Sequence, residues 1–156
     1  MKVAVFSDTH RNTGPMLEAL LLCRPDAVVH LGDHDRDTLA IERAFPELPL
    51  YRVCGNCDLA PIAPLADIVQ LGPVKAFLCH GHQYGVDWGE LDRLAYAAQE
   101  RGCSLALYGH THRASQEELG GVQLINPGTA GSGRRLSWAL LEILDNGGVA
   151  CSINEL

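Results

Sequence analysis

Apolar residues fall into five short runs, and every run closes on glycine, a carboxylate, a carboxamide or an imidazole. Residues 2–6 lead into Ser7, Asp8, Thr9 and His10; residues 27–31 into Gly32 and Asp33; residues 50–54 into Gly55 and Asn56. Residues 75–79 lead into His80, Gly81 and His82, and residues 105–108 into Gly109, His110, Thr111 and His112. Short, unbroken apolar runs fit strands covered on both faces, as in parallel sheets. Ligands of such sheets collect outside the carboxyl ends of the strands. Five runs with similar endings therefore predict strand ends that share one site.

Other periods lie between and after these runs. Leu17, Leu20 and Leu21, preceded by Thr13 and Pro15, predict a short helix. Trp88, Leu91, Ala95 and Ala98 recur at helical spacing, with Asp87 as the expected N-cap and Gly102 as the stop. Alternation around 123–125, 137–144 and 149–153 predicts further strands, and Asp145, Asn146, Gly147 and Gly148 spell a hairpin turn. A β-α-β-α-β opening calls for parallel pairing, and the strand-rich second half for antiparallel additions. The expected class is α/β: a four-layer α-β-β-α sandwich with two mixed β-sheets flanked by helices.

Composition narrows the partners. The 156 residues show no linker-like stretch, so a single domain over 1–156 is expected. The longest apolar stretches, 19–23 and 138–141, are too short to span a bilayer, and no export signal is apparent at the start. A cytoplasmic location and no membrane partner are the corresponding expectations. The formal net charge of -7 argues against a broad nucleic-acid-binding surface. Six cysteines without a secretory signal read as reduced thiols, mostly in the core. Cys54 and Cys57 form a C-x-x-C, but no second pair has zinc-site spacing.

The run endings also carry metal chemistry. In an extended segment Asp8 and His10, two apart, would point to the same side and could share an ion, and His110 and His112 repeat the spacing. Carboxylate, imidazole and carboxamide donors without thiolate favour manganese, iron, nickel, cobalt or zinc.

As a set, Asp8-Thr9-His10, Gly32-Asp33, Gly55-Asn56-Cys57-Asp58, His80-Gly81-His82 and Gly109-His110-Thr111-His112 resemble the calcineurin-like metallophosphoesterase superfamily, in its small bacterial and archaeal phosphodiesterase branch. Asn126-Pro127-Gly128 is similar as well. The resemblance implies two divalent ions, manganese being the first expectation: one held by Asp8, His10, Asp33 and His112, the other by Asp33, Asn56, His80 and His110. It further implies a bridging hydroxide that attacks phosphorus in line, with Asp33, Asn56 and His82 as catalytic residues. Two ions, two carboxylates and one hydroxide leave about one positive charge, which gives an acidic protein a local anion site.

Many members of the superfamily carry His where this chain has Cys57. A neutral thiol is a weaker proton donor than imidazolium, so activated phosphodiesters are the expected substrates in preference to alkyl monoesters. Arg11, Arg36 and Arg113 each lie within three residues of a proposed ligand and are the candidate phosphate contacts. His30 reads as a core or supporting group, and His34 and Asp35 as residues of the pocket rim or solvated. Gly128, Gly131 and Gly133 would supply either backbone donors or a turn. The expected partner is a small phosphodiester, and self-association stays open. The competing function is a metal-binding protein-interaction scaffold, because a eukaryotic retromer subunit resembles the same fold.

Overall fold

β1 (Lys2–Phe6) faces two cores at once. Val3 and Val5 point into a cluster between sheets, while Ala4 and Phe6 point toward helices. That double burial is why its sequence lacks the polar alternation of a surface strand. In the computed structural model, which describes residues 1–156, β1 pairs in parallel with β2 (Ala27–His30), and β2 with β3 (Leu50–Arg52). β9 (Ser137–Ile143) pairs antiparallel with β1 on its other side, and β10 (Val149–Glu155) completes the order β10-β9-β1-β2-β3.

The second sheet repeats the plan. β5 (Val74–Cys79), β6 (Leu105–Leu107) and β8 (Val122–Asn126) run parallel, with β4 (Ala66–Leu71) and β7 (Ser115–Leu119) antiparallel at the edges, giving β4-β5-β6-β8-β7. Val74, Ala76, Leu78, Leu105 and Leu107 meet Val3, Val5 and Val29 between the sheets. On the outer face of the first sheet lie α1 (Gly14–Cys23) and α2 (Thr38–Ala44), contributing Met16, Ala19, Leu20 and Ile41. There Phe6 stacks on Trp138 with ring centroids 5.4 Å apart. α3 (Asp92–Glu100) covers the other sheet through Leu94, Ala95 and Ala98 against Phe77 and Ala106. Three apolar clusters separate four layers, so the expected α-β-β-α sandwich is the fold. No helix is long and apolar enough to cross a membrane.

Two helix readings need correction. Leu21 is 62% exposed, and the buried stripe of α1 is Met16, Ala19 and Leu20 instead. Trp88 is 83% exposed in a 3-10 turn, Val86–Trp88, so α3 begins later and Asp87 does not cap it. The stop is as expected: Gly102 adopts φ +67°, and the Cys103 N–H reaches back to the Ala98 carbonyl. The 145–148 turn closes through Leu144 N–H to the Gly148 carbonyl.

Candidate metal centre

The carboxyl ends of β1, β2, β5 and β6 open on the same side, and the chain turns sharply after each. Asp8, His10, Asp33, His110 and His112 all have φ between 44° and 71°. Left-handed backbone is uncommon for residues other than glycine, although Asp and His tolerate it better than most. The extended geometry expected for Asp8 and His10 is therefore wrong in its route, because a reversal, not a pleat, brings them together. His110 and His112 diverge, His112 approaching Asp8 and His110 approaching His80.

Asp8, His10, Asp33 and His112 form one group, each offering an atom within 4.8 Å of the others. His112 Nε2 is 3.1 Å from Asp8 Oδ1, at ion-pair distance but without hydrogen-bond geometry, and His10 Nε2 is 3.9 Å from Asp8 and 3.8 Å from Asp33. Burial pushes the Asp8 carboxyl up, but His112, His80 and the Ser7 hydroxyl outweigh it and hold the group below its usual range. The Asp8 carboxylate beside it raises His112, against the opposing effect of burial.

His80 is fully buried beside this group. Its Nδ1 lies 2.7 Å from the Leu31 carbonyl, which can only accept, so Nδ1 carries a proton and a neutral ring keeps its lone pair on Nε2. That Nε2 faces Asp33 Oδ1 at 3.3 Å and has no hydrogen-bond partner; Asp8 Oδ1 is also buried without one. Lone pairs facing one another in a buried site repel unless a cation lies between them. These donors fit a divalent metal of the kind bound by mixed carboxylate and imidazole ligands.

The remaining site residues are distributed as follows. The His110 and His80 ring centroids are 5.1 Å apart, and His110 Nε2 lies 2.7 Å from Asp87 Oδ2. His82 stands 5.5 Å from His80 and 6.0 Å from His110 between ring centroids; burial first, then these two imidazoles, lower its pKa. Asn56 is exposed, with its Nδ2 3.6 Å from Cys57 Sγ. The Cys57 N–H donates to Asp33 Oδ1, and the thiol is pushed up to about 11 by hydrogen bonding to Asp33, by burial and by nearby carboxylates. Arg36 donates Nε and Nη2 to the Ala60 carbonyl, whereas Arg11 lies exposed at the rim. Arg113 lines a cleft of about 440 Å³ with Asp87, His110 and Thr111.

Supporting residues carry much of the precision. The Gly32 N–H donates to His30 Nδ1, which puts the His30 proton on Nε2, facing Thr9 Oγ1; Thr9 in turn donates to Asp37. Burial lowers His30 to about 4, so it is a neutral, satisfied core group, as its place in an apolar run suggests. Asp58 accepts from the N–H groups of His34, Asp35 and Gly55, tying together the loops that follow β2 and β3. Asp35 is fully buried and accepts from Ile62 and Ala63, which corrects the expectation of a rim or solvated residue. Gly128 and Gly131 commit their N–H groups to Asn126 and to the Asp8 carbonyl. Asp87, read from the sequence as a helix cap, was missed as a site residue; its local sequence carries no signal for the His110 contact.

Known proteins resemble this chain over most of its length. The calcineurin-like phosphoesterase superfamily domain matches residues 1–146. A probable metallophosphoesterase of Mycoplasma genitalium is 32% identical over 133 residues, covering 83% of this chain and 77% of that protein. A phosphodiesterase of Methanocaldococcus jannaschii is 28% identical over 149 residues, covering 82% of this chain and 83% of the relative. Wild-type Vps29 of Entamoeba histolytica, solved in complex with zinc, superposes with a TM-score of 0.77 at 26% identity, covering 99% of both chains. The matched stretch takes in every run ending that meets at the site, and the chain belongs to the calcineurin-like phosphoesterase superfamily.

Proposed function

We propose that the protein is a metal-dependent phosphodiesterase with a dinuclear centre. What supports this most is the convergence of Asp8, His10, Asp33 and His112 within 4.8 Å beside the unpartnered Asp8 Oδ1 and His80 Nε2. These four residues would hold one ion, and Asp33, Asn56, His80 and His110 the second, with manganese the leading candidate and nickel, iron, cobalt or zinc alternatives. Bound there, the ions would activate water near neutral pH and neutralise charge on a phosphoryl group.

The chain's own residues set the specificity. His82, lowered in pKa, is a neutral ring able to hydrogen-bond a phosphoryl oxygen. Arg113 opens onto the adjoining cleft and Arg11 onto the rim, whereas Arg36 has its remaining donors only, because Ala60 holds two. Cys57 stays a protonated, neutral thiol at pH 7. It gives a departing alkoxide little acid assistance, so diesters with good leaving groups are favoured. The M. jannaschii relative, a phosphodiesterase, supports the same choice.

The test is hydrolysis of bis-p-nitrophenyl phosphate and p-nitrophenyl phosphate with manganese. Diester turnover should dominate and fall at least 100-fold, by about 3 kcal/mol of transition-state stabilisation, in Asp33→Asn and His80→Ala. Full activity in both variants rejects the assigned centre, and a clear monoester preference rejects the specificity. The likeness to zinc-bound Vps29 favours a second reading, a metal-binding protein-interaction scaffold. Metal binding without hydrolysis of cyclic nucleotides, dinucleotides or phospholipid head groups would select it.

A further inference from the structure

His110 is held from two directions. Its backbone N–H donates to Asp8 Oδ2 at 3.2 Å, and its Nε2 is 2.7 Å from Asp87 Oδ2. Unlike the other residues around the site, Asp87 does not follow a strand end. It rides on the 3-10 turn Val86–Trp88 between Gly85 and Gly89, both at φ +73°, and its side chain is half exposed. An ionised carboxylate offers only acceptors, so the short contact requires the proton on His110 Nε2. A neutral ring then has one lone pair left, on Nδ1.

His80 shows the same device with the nitrogens exchanged. There the Leu31 carbonyl fixes the proton on Nδ1 and leaves Nε2 unpartnered toward Asp33. The neighbouring imidazoles are therefore each committed to a single tautomer by an acceptor outside the metal cluster. One acceptor is a backbone carbonyl just past the end of β2; the other is a side chain on a glycine-flanked turn that also walls the cleft beside Arg113.

We propose that Asp87 is a positioning residue of the metal centre, holding His110 as the Nε2–H tautomer so that Nδ1 is the nitrogen offered to an ion. The inference rests on the metal-centre reading above. Carboxylates that accept the second ring N–H of a ligating histidine fix its orientation and raise its basicity, and losing one typically weakens metal binding about 10–100-fold. The carboxamide of Asn can still accept through its oxygen, whereas Ala cannot.

The experiment needs no substrate. Ring 15N shifts of His110 are recorded in the metal-free protein, and zinc is titrated calorimetrically into wild type, Asp87→Ala and Asp87→Asn. Wild type should show one tautomer, protonated at Nε2, and bind zinc. Asp87→Ala should mix the tautomers and weaken zinc binding about 10–100-fold. Asp87→Asn should retain the tautomer and recover most of the affinity. Zinc affinity unchanged in Asp87→Ala, mixed tautomers in wild type, or Asp87→Asn as weak as Asp87→Ala would each overturn the role of Asp87 while leaving the metal centre standing. Failure of wild type to bind zinc overturns both.

Discussion

Five of the seven candidate ligands occupy left-handed backbone, a conformation that costs an L-residue roughly 1–2 kcal/mol. Such strain persists because neighbours over-determine it, and His30 is one of those neighbours. Its ring joins the Gly32 backbone to Thr9, between Asp8 and His10, and it has a consequence for acid stability. Burial lowers its pKa from 6.5 to about 4, so the folded state refuses a proton that the unfolded chain accepts. The His30 contribution is complete above pH 6.5 and is lost as pH falls toward 4, by up to about 3 kcal/mol. Urea unfolding at pH 7 and pH 4.5 should therefore show wild type losing more stability than His30→Gln, which has no proton to take up. Parallel losses in the two proteins would contradict the assignment. At this scale the residues that converge at the candidate site were legible in the sequence because they follow apolar runs directly. The backbone reversals were not, since i, i+2 spacing carries no sign of φ.

Among elements, legibility followed burial or, for the half-covered β10, alternation. β1, β2, β3, β5 and β6 were readable because both faces are covered or nearly so. β7, with the sequence SQEEL, is an edge strand with solvent on most of its length, and its polar residues resemble a loop. β4 escaped for the same reason, with three of its six residues exposed. Loops follow a different rule, close approach. The segment 129–131 clamps the loop after β1: Thr129 Oγ1 and the Gly131 N–H both donate to the Asp8 carbonyl, and the Ala130 N–H to that of Ser7. A Cβ on Gly131 would overlap the Thr9 carbonyl, whereas one on Gly14, in the first turn of α1, would meet nothing within 4 Å. Gly131→Ala should therefore destabilise the protein by about 1–3 kcal/mol and weaken zinc binding by displacing Thr9 and His10. Gly14→Ala, beside Pro15, should change stability by less than about 1 kcal/mol and leave zinc binding unchanged. Denaturant midpoints with zinc titrations check both, and equal behaviour of the two variants would remove the clamp.

At the scale of the whole molecule, the site lies across the seam between the two sheets. Asp8, His10, Asp33 and Asn56 follow β1, β2 and β3, while His80, His110 and His112 follow β5 and β6. Contacts already cross that seam, from His80 Nδ1 to the Leu31 carbonyl and from the His110 N–H to Asp8 Oδ2. A cation bound among these groups would join layers otherwise held mainly by apolar packing, and would offset carboxylate repulsion in a chain of formal net charge -7. Binding only to the folded state stabilises it by mass action, about 2.7 kcal/mol at a free metal concentration 100 times Kd. For a protein of this size that corresponds to a rise in Tm of roughly 5–10 °C. Thermal unfolding in manganese against chelator should show this rise in wild type. It should largely disappear in Asp33→Asn, because Asp33 Oδ1 faces His80 and its Oδ2 faces His10. A variant at the remote Gly14 should keep the full shift. Equal melting of wild type in metal and chelator would mean that the seam is closed by packing and hydrogen bonds alone.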